Sequence, residues 1–275
     1  MAQGQLTGRV ALVTGAGSKL GLGYAMASAL AGAGASVAVL DINGMQAEVS
    51  AAEIAAATGA KVLPVVADVA DPEACARAVE QTAVGLGGLH ILVNNAGANP
   101  RALGYDVDHH KLWELPPSAW AQVMAINLNG PYYMLQAALP RLLKQGWGRI
   151  IGVTTSLDTM IRNENMPYGP SKAGHEALMA CMARELEGTG VTCNVLIPGG
   201  ITLTGMTQYR SGRGAMLSAD VMRAPVVWLA SAAADGFNGR RVVGEYWRDD
   251  LPIEQCLEAA AAPAAWPGLG RAARR

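Results

Sequence analysis

The chain has 275 residues, a formal net charge of −1 and an apolar content of 51%, carried largely by small and β-branched residues, with a single Phe. A nearly neutral balance without a basic run argues against a nucleic-acid partner, and the absence of a charged, apolar-poor tract argues against a disordered chain. The four cysteines, Cys75, Cys181, Cys193 and Cys256, have neither CxxC nor zinc-like spacing, so free thiols in a reducing cytoplasm are expected and no metal site is assigned.

In chain order, "RVALVTG" (residues 9–15) is a β-branched run ending at glycine and predicts a buried strand. The Ala-rich "GYAMASALAGAGA" predicts a helix that stops at Gly32 and Gly34, and "SVAVLD" a second strand ending in Asp41. Residues 20–40 carry no charge and are long enough to span a bilayer, but they divide at the glycines into a helix and a strand. Only Arg9 precedes the first strand, so neither a membrane span nor an export signal is expected.

"MQAEVSAAEIAAAT" predicts a helix closed by Gly59, "KVLPVVADV" a strand, and Asp71-Pro72 the opening of the next helix. "LHILVNNAG" (residues 89–97) is a strand ending in polar residues. A loop covers residues 98–117, and one long helix is predicted over "AWAQVMAINLNGPYYMLQAALPRLLKQG". Then come a strand at "GRIIGVTTS", a helix after Tyr168, a strand at "VTCNVLIPGG", a helix over residues 219–232 and a weaker strand near residues 240–243.

Strands alternating with helices, each strand a continuous apolar run, predict an α/β fold: a doubly wound parallel sheet with helices on both faces, of Rossmann type. Residues 1–250 are expected to form one dinucleotide-binding and catalytic domain, and residues 251–275 a C-terminal extension. The end, "AAAAPAAWPGLGRAARR", reads as a loose tail, the alternative being an arm packed on a neighbouring subunit.

The stretch "TGAGSKLGLG" lies between the first strand and the first helix, and Asp41 follows Gly23 by 18 residues at the end of the second strand. That order is what a dinucleotide site requires: glycines admit the pyrophosphate to the backbone, the helix start offers free N–H groups, and a carboxylate receives the ribose hydroxyls while repelling a 2′-phosphate. NAD is therefore the expected cofactor, with NADP possible because Lys19 is placed to reach a phosphate.

"TGAGSKLGLGYAMASALAGAGA" resembles the cofactor loop of the classical short-chain dehydrogenase/reductase family, whose pattern is TGxxxGxG. Thr14-Gly15 matches its start and Gly21-Leu22-Gly23 its end, with the interval two residues too long; the alternative alignment places Lys19 at the middle glycine. The resemblance covers roughly residues 6–243. It implies cofactor contacts at Gly15, Ser18, Lys19, Gly21, Leu22, Gly23 and Asp41, and at Asp68 and Val69 of "ADV" beside the adenine. Asn95, Ala96 and Gly97 of "NNAG" and Pro198, Gly199, Ile201 and Thr204 around "PGG" are implied likewise, although "PGGITLTGM" is out of register with the family's PGxxxT.

"INLNG" places Asn127, and "YGPSK" Tyr168 and Lys172, at the family's catalytic asparagine and YxxxK positions. Tyr168 and Lys172 are four apart and share a helix face, with Pro170 suiting a first turn. A phenol with its ordinary pKa of about 10 is a poor base, and a neighbouring ammonium favours the phenolate. Tyr168 is then expected to exchange the alcohol proton, and the resemblance implies that Lys172 also holds the nicotinamide ribose and that Asn127 supports a water linking Lys172 to solvent. The family's serine falls on Thr155 by the commonest spacing and on Ser156 by residue type; Ser156 is chosen, and ordinary β-propensity accounts for Thr154 and Thr155.

His109 and His110 with Asp106 and Asp108 read as a solvated loop, and Arg101, Tyr105 and Trp113 as a border of the substrate site. Arg240 and Arg241 read as surface or subunit contacts, and Tyr246 and Trp247 as substrate or interface groups. The expected activity is interconversion of a small-molecule secondary alcohol and ketone with NAD(H). The alternatives are an NADP-dependent 3-oxoacyl or ketone reductase, a non-catalytic NAD-binding regulator, and a sugar-nucleotide epimerase, for which little chain remains after Pro198. A homo-oligomer, tetramer or dimer, is implied by the resemblance.

Overall fold

The first strand of the computed structural model, β1 (Val10–Thr14), is buried at every residue. It lies in the middle of a sheet formed with β2 (Ser36–Asp41), β3 (Val62–Val66), β4 (Ile91–Asn94), β5 (Gly148–Val153), β6 (Val191–Ile197), β7 (Arg240–Val243) and β8 (Ala261–Pro263). The structure describes residues 4–105, 111–207 and 216–268. The strand order is β3-β2-β1-β4-β5-β6-β7-β8, parallel throughout except for β7–β8. This is the doubly wound, Rossmann-type α/β sheet the apolar runs predict.

Both faces of the sheet are covered, which is why the strands read as continuous rather than alternating apolar runs. Ala11 and Val13 of β1, with Val37, Val39, Ile91 and Val93, pack under α1 (Leu22–Gly32), α2 (Gly44–Thr58) and, further along, a later helix at residues 223–230. Leu12, Ala38, Leu40 and Leu92 point the other way, onto α3 (Pro72–Leu86) and residues 130–144. The caps follow the sequence signals. Asn43 accepts from the Gln46 N–H at 3.1 Å, Asp71 accepts from the Glu73 N–H at 2.9 Å, and Gly59 and Gly87 close their helices with φ of 71° and 85°.

Three expectations are corrected. The long helix is broken: α4 (Pro117–Met124) and α5 (Gly130–Lys144) are joined by a widened π turn, Ala125–Asn129. Pro131 has no N–H to donate and its ring crowds the carbonyl four residues back, that of Asn127, so the regular hydrogen-bond ladder is interrupted at this junction. After α6 (Leu157–Ile161) and α7 (Tyr168–Glu185), the helix expected over residues 219–232 is a 3₁₀ turn, Ala219–Met222, followed by α8 (Arg223–Ala230), with Pro225 in its first turn. Finally, the alanine-rich end is not loose through its described part. After α9 (Ile253–Ala260), β8 pairs antiparallel with β7, and Ala264 is buried and donates to the Gly239 carbonyl at 3.0 Å. Alanine side chains suffice there because β8 covers an edge by backbone pairing.

Among the described residues no helix is long and apolar enough to cross a membrane. Cys75, Cys193 and Cys256 are buried and Cys181 is exposed on α7. Burial, with Asp71 and Asp68 nearby, pushes the Cys75 thiol up to about 12, and burial also raises that of Cys193. In the native protein a thiol reagent should therefore label Cys181 rapidly and the other three only after denaturant is added. Rapid native labelling of Cys75 or Cys193, mapped by mass spectrometry, would contradict this packing.

Candidate active site

The sheet reverses its winding between β1 and β4, and their connections part there to open a crevice at the carboxyl ends of the strands. Thr14 ties the two sides. Its hydroxyl accepts from the N–H groups of Asn95 and Ala96, each at 3.0 Å, and donates to the Val93 carbonyl at 3.3 Å. The Asn95 amide donates back to the carbonyls of Thr14 at 2.8 Å and Gly15 at 3.0 Å.

Glycine is required where the loop closes on itself. Gly15 has φ 64°, and a Cβ on Gly23 would lie 2.3 Å from the Gly15 carbonyl oxygen and 2.6 Å from the Asn95 amide nitrogen. Gly21 caps α1 without a side-chain hydrogen bond, so no side chain at the cap covers the first-turn N–H groups of the helix. The loop residues preceding it form a turn in which the Gly21 N–H donates to Ser18 at 2.8 Å. Lys19 there pairs with Glu53 of α2, which raises its pKa.

Asp41 ends β2 with its Oδ2 accepting from the Gly17 N–H at 2.9 Å and its Oδ1 from that of Asn43 at 3.0 Å. A Cβ at Gly17 would touch this carboxylate, and Ser50 donates to the Gly17 carbonyl at 2.7 Å. Gly17 and Ser50 were not legible as part of the site, because their role depends on α2 folding back over the loop. Asp68 is exposed, with Oδ1 accepting from the Ala70 N–H at 2.9 Å, and Val69 is buried against Gly130.

Asn127, Tyr168 and Lys172 lie near one another around the ends of β4 and β5 and the start of α7, while Ser156 stands at the start of α6. The π turn places Asn127 in full burial, where its amide donates to the Ala98 carbonyl at 2.8 Å and to the Ser171 hydroxyl at 2.9 Å, and accepts from the Ala98 N–H at 2.8 Å. Ser171 in turn donates to the Tyr168 carbonyl at 2.7 Å. Tyr168 opens α7, half-buried, so Pro170 sits in the first turn as its missing N–H demands. Lys172 is buried; its Nζ donates to the Val153 carbonyl at 2.8 Å and lies 6.0 Å from the Tyr168 ring centroid. A Cβ at Gly97 would be 3.2 Å from that Nζ and 3.3 Å from Asn127 Oδ1, so a side chain there would press on both. Burial lowers the Lys172 pKa to about 8, and burial together with the Lys172 charge keeps His175 neutral, well below its ordinary range.

Ser156 caps α6: its Oγ accepts from the Thr159 N–H at 3.3 Å and shares a hydrogen with the Thr159 hydroxyl at 2.7 Å. Thr154 is not explained by strand propensity alone, because it lies beyond the end of β5 and its hydroxyl donates to Glu176 at 2.8 Å. Arg241 is not a surface or subunit contact. It is 7% exposed, bonded to Glu176 at 2.5 Å and to the Thr155 carbonyl at 2.6 Å. Alternation along β7 sends it inward, while Arg240 lies partly exposed near Phe237.

Beyond β6, Pro198 accepts from the Glu245 N–H at 2.9 Å, Gly199 takes φ 106° and Ile201 accepts from the Leu217 N–H at 2.8 Å. Thr204 donates its N–H to the Thr207 hydroxyl at 2.9 Å, in a turn whose Gly205 approaches Ser18 across the crevice. Tyr246 is exposed. Trp247 packs on Trp228 at 5.6 Å and donates to Asp249 at 2.8 Å within the chain. Asp106, Asp108, His109 and His110 lie outside the described residues, and among the described residues no three metal-capable side chains cluster.

The short chain dehydrogenase family model matches residues 9–213. The D-threitol dehydrogenase of Mycolicibacterium smegmatis is 34% identical over 87% of this chain and 92% of its own. The 2-dehydro-3-deoxy-L-rhamnonate dehydrogenase (NAD(+)) of a Sphingomonas species is 33% identical over 71% and 73%. A crystal structure of a short-chain type dehydrogenase/reductase from Mycobacterium marinum superposes with a TM-score of 0.75 at 30% identity, covering 86% of this chain and 94% of that one. The chain belongs to the short-chain dehydrogenase family. It is an NAD(P)-dependent oxidoreductase acting on CH–OH groups.

The burial of Lys172 has a thermodynamic signature. Its folded pKa of about 8 is below the ordinary 10.5, so between these values the unfolded chain holds a proton that the folded chain has released. Stability from this group therefore rises with pH across that window. In urea titrations from pH 7 to 10.5, wild type should gain on Lys172→Met steadily above pH 8. A gap independent of pH would contradict the burial of this ammonium.

Proposed function

We propose that the chain interconverts a secondary alcohol and a ketone with NAD(H), using Tyr168 as the proton-exchanging group, and Lys172, Asn127 and Ser156 in support. The observation that carries this reading is the half-buried Tyr168 beside the buried Lys172 ammonium, at the mouth of the crevice. A bound nicotinamide dinucleotide supplies the hydride acceptor or donor. The Lys172 charge lowers the proton affinity of the Tyr168 phenol, which takes the hydroxyl proton during oxidation and returns it during reduction. Ser156 donates to the substrate oxygen and so stabilises the charge that develops on it. Asn127 holds the β4 loop and, through Ser171, the start of α7, which keeps Tyr168 and Lys172 in their common geometry.

The residues present fit the dinucleotide. The uncapped α1 start with Gly15, Ser18, Gly21, Leu22 and Gly23 receives the pyrophosphate, Asp68, Val69, Asn95 and Ala96 border the adenine side, and Gly97, Pro198, Gly199, Ile201 and Thr204 face the nicotinamide. Asp41, ending β2, offers a carboxylate to the ribose hydroxyls and repels a 2′-phosphate, while Lys19 is held by Glu53. This supports NAD over NADP. The reading also includes a catalytic domain of residues 1–250 with the extension 251–275, a cytoplasmic location and a homo-oligomer, tetramer or dimer.

The test is to titrate wild type and Tyr168→Phe with NADH and NADPH, then to assay turnover on ketones and secondary alcohols. NADH should bind more tightly than NADPH, and equally well to both proteins, while the substitution lowers turnover by about 100- to 10,000-fold. Asp41→Asn should narrow the preference for NADH. Tighter binding of NADPH to wild type would overturn the Asp41 assignment, and turnover surviving in Tyr168→Phe would overturn the Tyr168 assignment.

A further inference from the structure

Residues 154–156 lie between the end of β5 and the start of α6, and so belong to neither ladder nor helix. Each is nevertheless tied. Thr154 donates its hydroxyl to Glu176 Oε2 at 2.8 Å, Thr155 gives its carbonyl to Arg241 at 2.6 Å, and Ser156 caps α6. The first two ties lead to one buried ion pair, Arg241–Glu176, 8% and 0% exposed.

The pair is assembled from far apart. Glu176 stands one helical turn after Lys172 on α7 and therefore shares its face. Arg241 is on β7, two strands away from β5, opposite Val195 of β6, which itself pairs with Gly152. Its side chain thus crosses β6 to reach the bend. The other carboxylate oxygen, Oε1, accepts from the Ala265 N–H at 3.3 Å, where φ is 54°. Stability does not account for such a pair, since removing two charges from water offsets their attraction and apolar residues of similar size serve a core as well. What the pair does hold, besides itself, is the bend and the C-terminal arm.

We propose that Arg241 and Glu176 are positioning residues for the reaction: they fix the bend that presents the substrate-polarising hydroxyl and lock it to the helix that carries Tyr168 and Lys172. This rests on the proton-transfer reading above, in which a hydroxyl of this bend meets the substrate oxygen. The pair touches neither substrate nor cofactor; it acts through Thr154 and Thr155.

The test is a double-mutant cycle with steady-state kinetics. Arg241→Met combined with Glu176→Leu replaces the pair by apolar side chains and leaves no charge unpaired. The variant loses the bonds to Thr154, Thr155 and Ala265 and with them some melting temperature, but below its own transition it should bind NADH with unchanged affinity while kcat falls about ten- to a hundredfold. In a Ser156→Ala background the same replacement should lower kcat by less than about twofold, because the group it positions is already gone. Arg241→Lys, which keeps the charge on Glu176 but not the fork to Thr155, should lose part of kcat. Unchanged kcat in the pair variant, or an equal loss in both backgrounds, would overturn the positioning role while leaving the Tyr168 chemistry intact. Should Ser156→Ala leave kcat untouched, the cycle is run with Thr155→Val. If neither hydroxyl matters, the hydroxyl assignment fails and the positioning role with it.

Discussion

The site depends on the knot at Thr14. β1 and β4 are neighbours whose continuations leave in opposite directions, and nothing in the sheet ladder holds them together past their last paired residues. The Thr14 hydroxyl supplies one acceptor for two backbone N–H groups, and the Asn95 amide supplies donors for two carbonyls. Four polar backbone groups at a part-buried chain divergence are thereby satisfied. The same contacts press the Gly15 backbone against Ala96 and, through Gly23, against the first turn of α1. The floor of the crevice is fixed before any ligand arrives.

On that floor the charge is arranged in layers. Lys172 lies deep, donating to the Val153 carbonyl, and Asn127 holds Ala98 from both sides. The π turn matters here. A regular helix would turn Asn127 by a different angle and set it off the α7 contact, whereas the widened turn directs it to Ser171. A proline at the helix junction thus goes with the turn that aims this amide at α7.

Much of this was legible from residue pattern. Continuous apolar runs, the acidic end of β2 and the spacing of Tyr168 and Lys172 each have a direct physical meaning: the runs form the sheet, Asp41 ends β2, and Tyr168 and Lys172 share the first turns of α7. The Asp71-Pro72 and Gly59 punctuation located helix ends because capping is a local matter. What escaped depended on distant partners or on rules outweighed locally. Arg241 reads as a surface charge until Glu176 is known to lie behind β6. The helix through Asn127 reads as continuous because apolar periodicity persists across Pro131. The alanines after residue 260 carry no pattern of their own, and their pairing on β7 comes from backbone groups that composition does not reveal.

The β7–β8 pairing also bears on how copies of the chain can meet. At that end the sheet is finished by its own chain, and the strand that finishes it is three residues long. At the opposite end, the outer strand β3 carries Pro64, which offers no N–H to a newcomer. Neither margin presents a long, fully equipped row of donors and acceptors for strand addition, so the sheet has a built-in width.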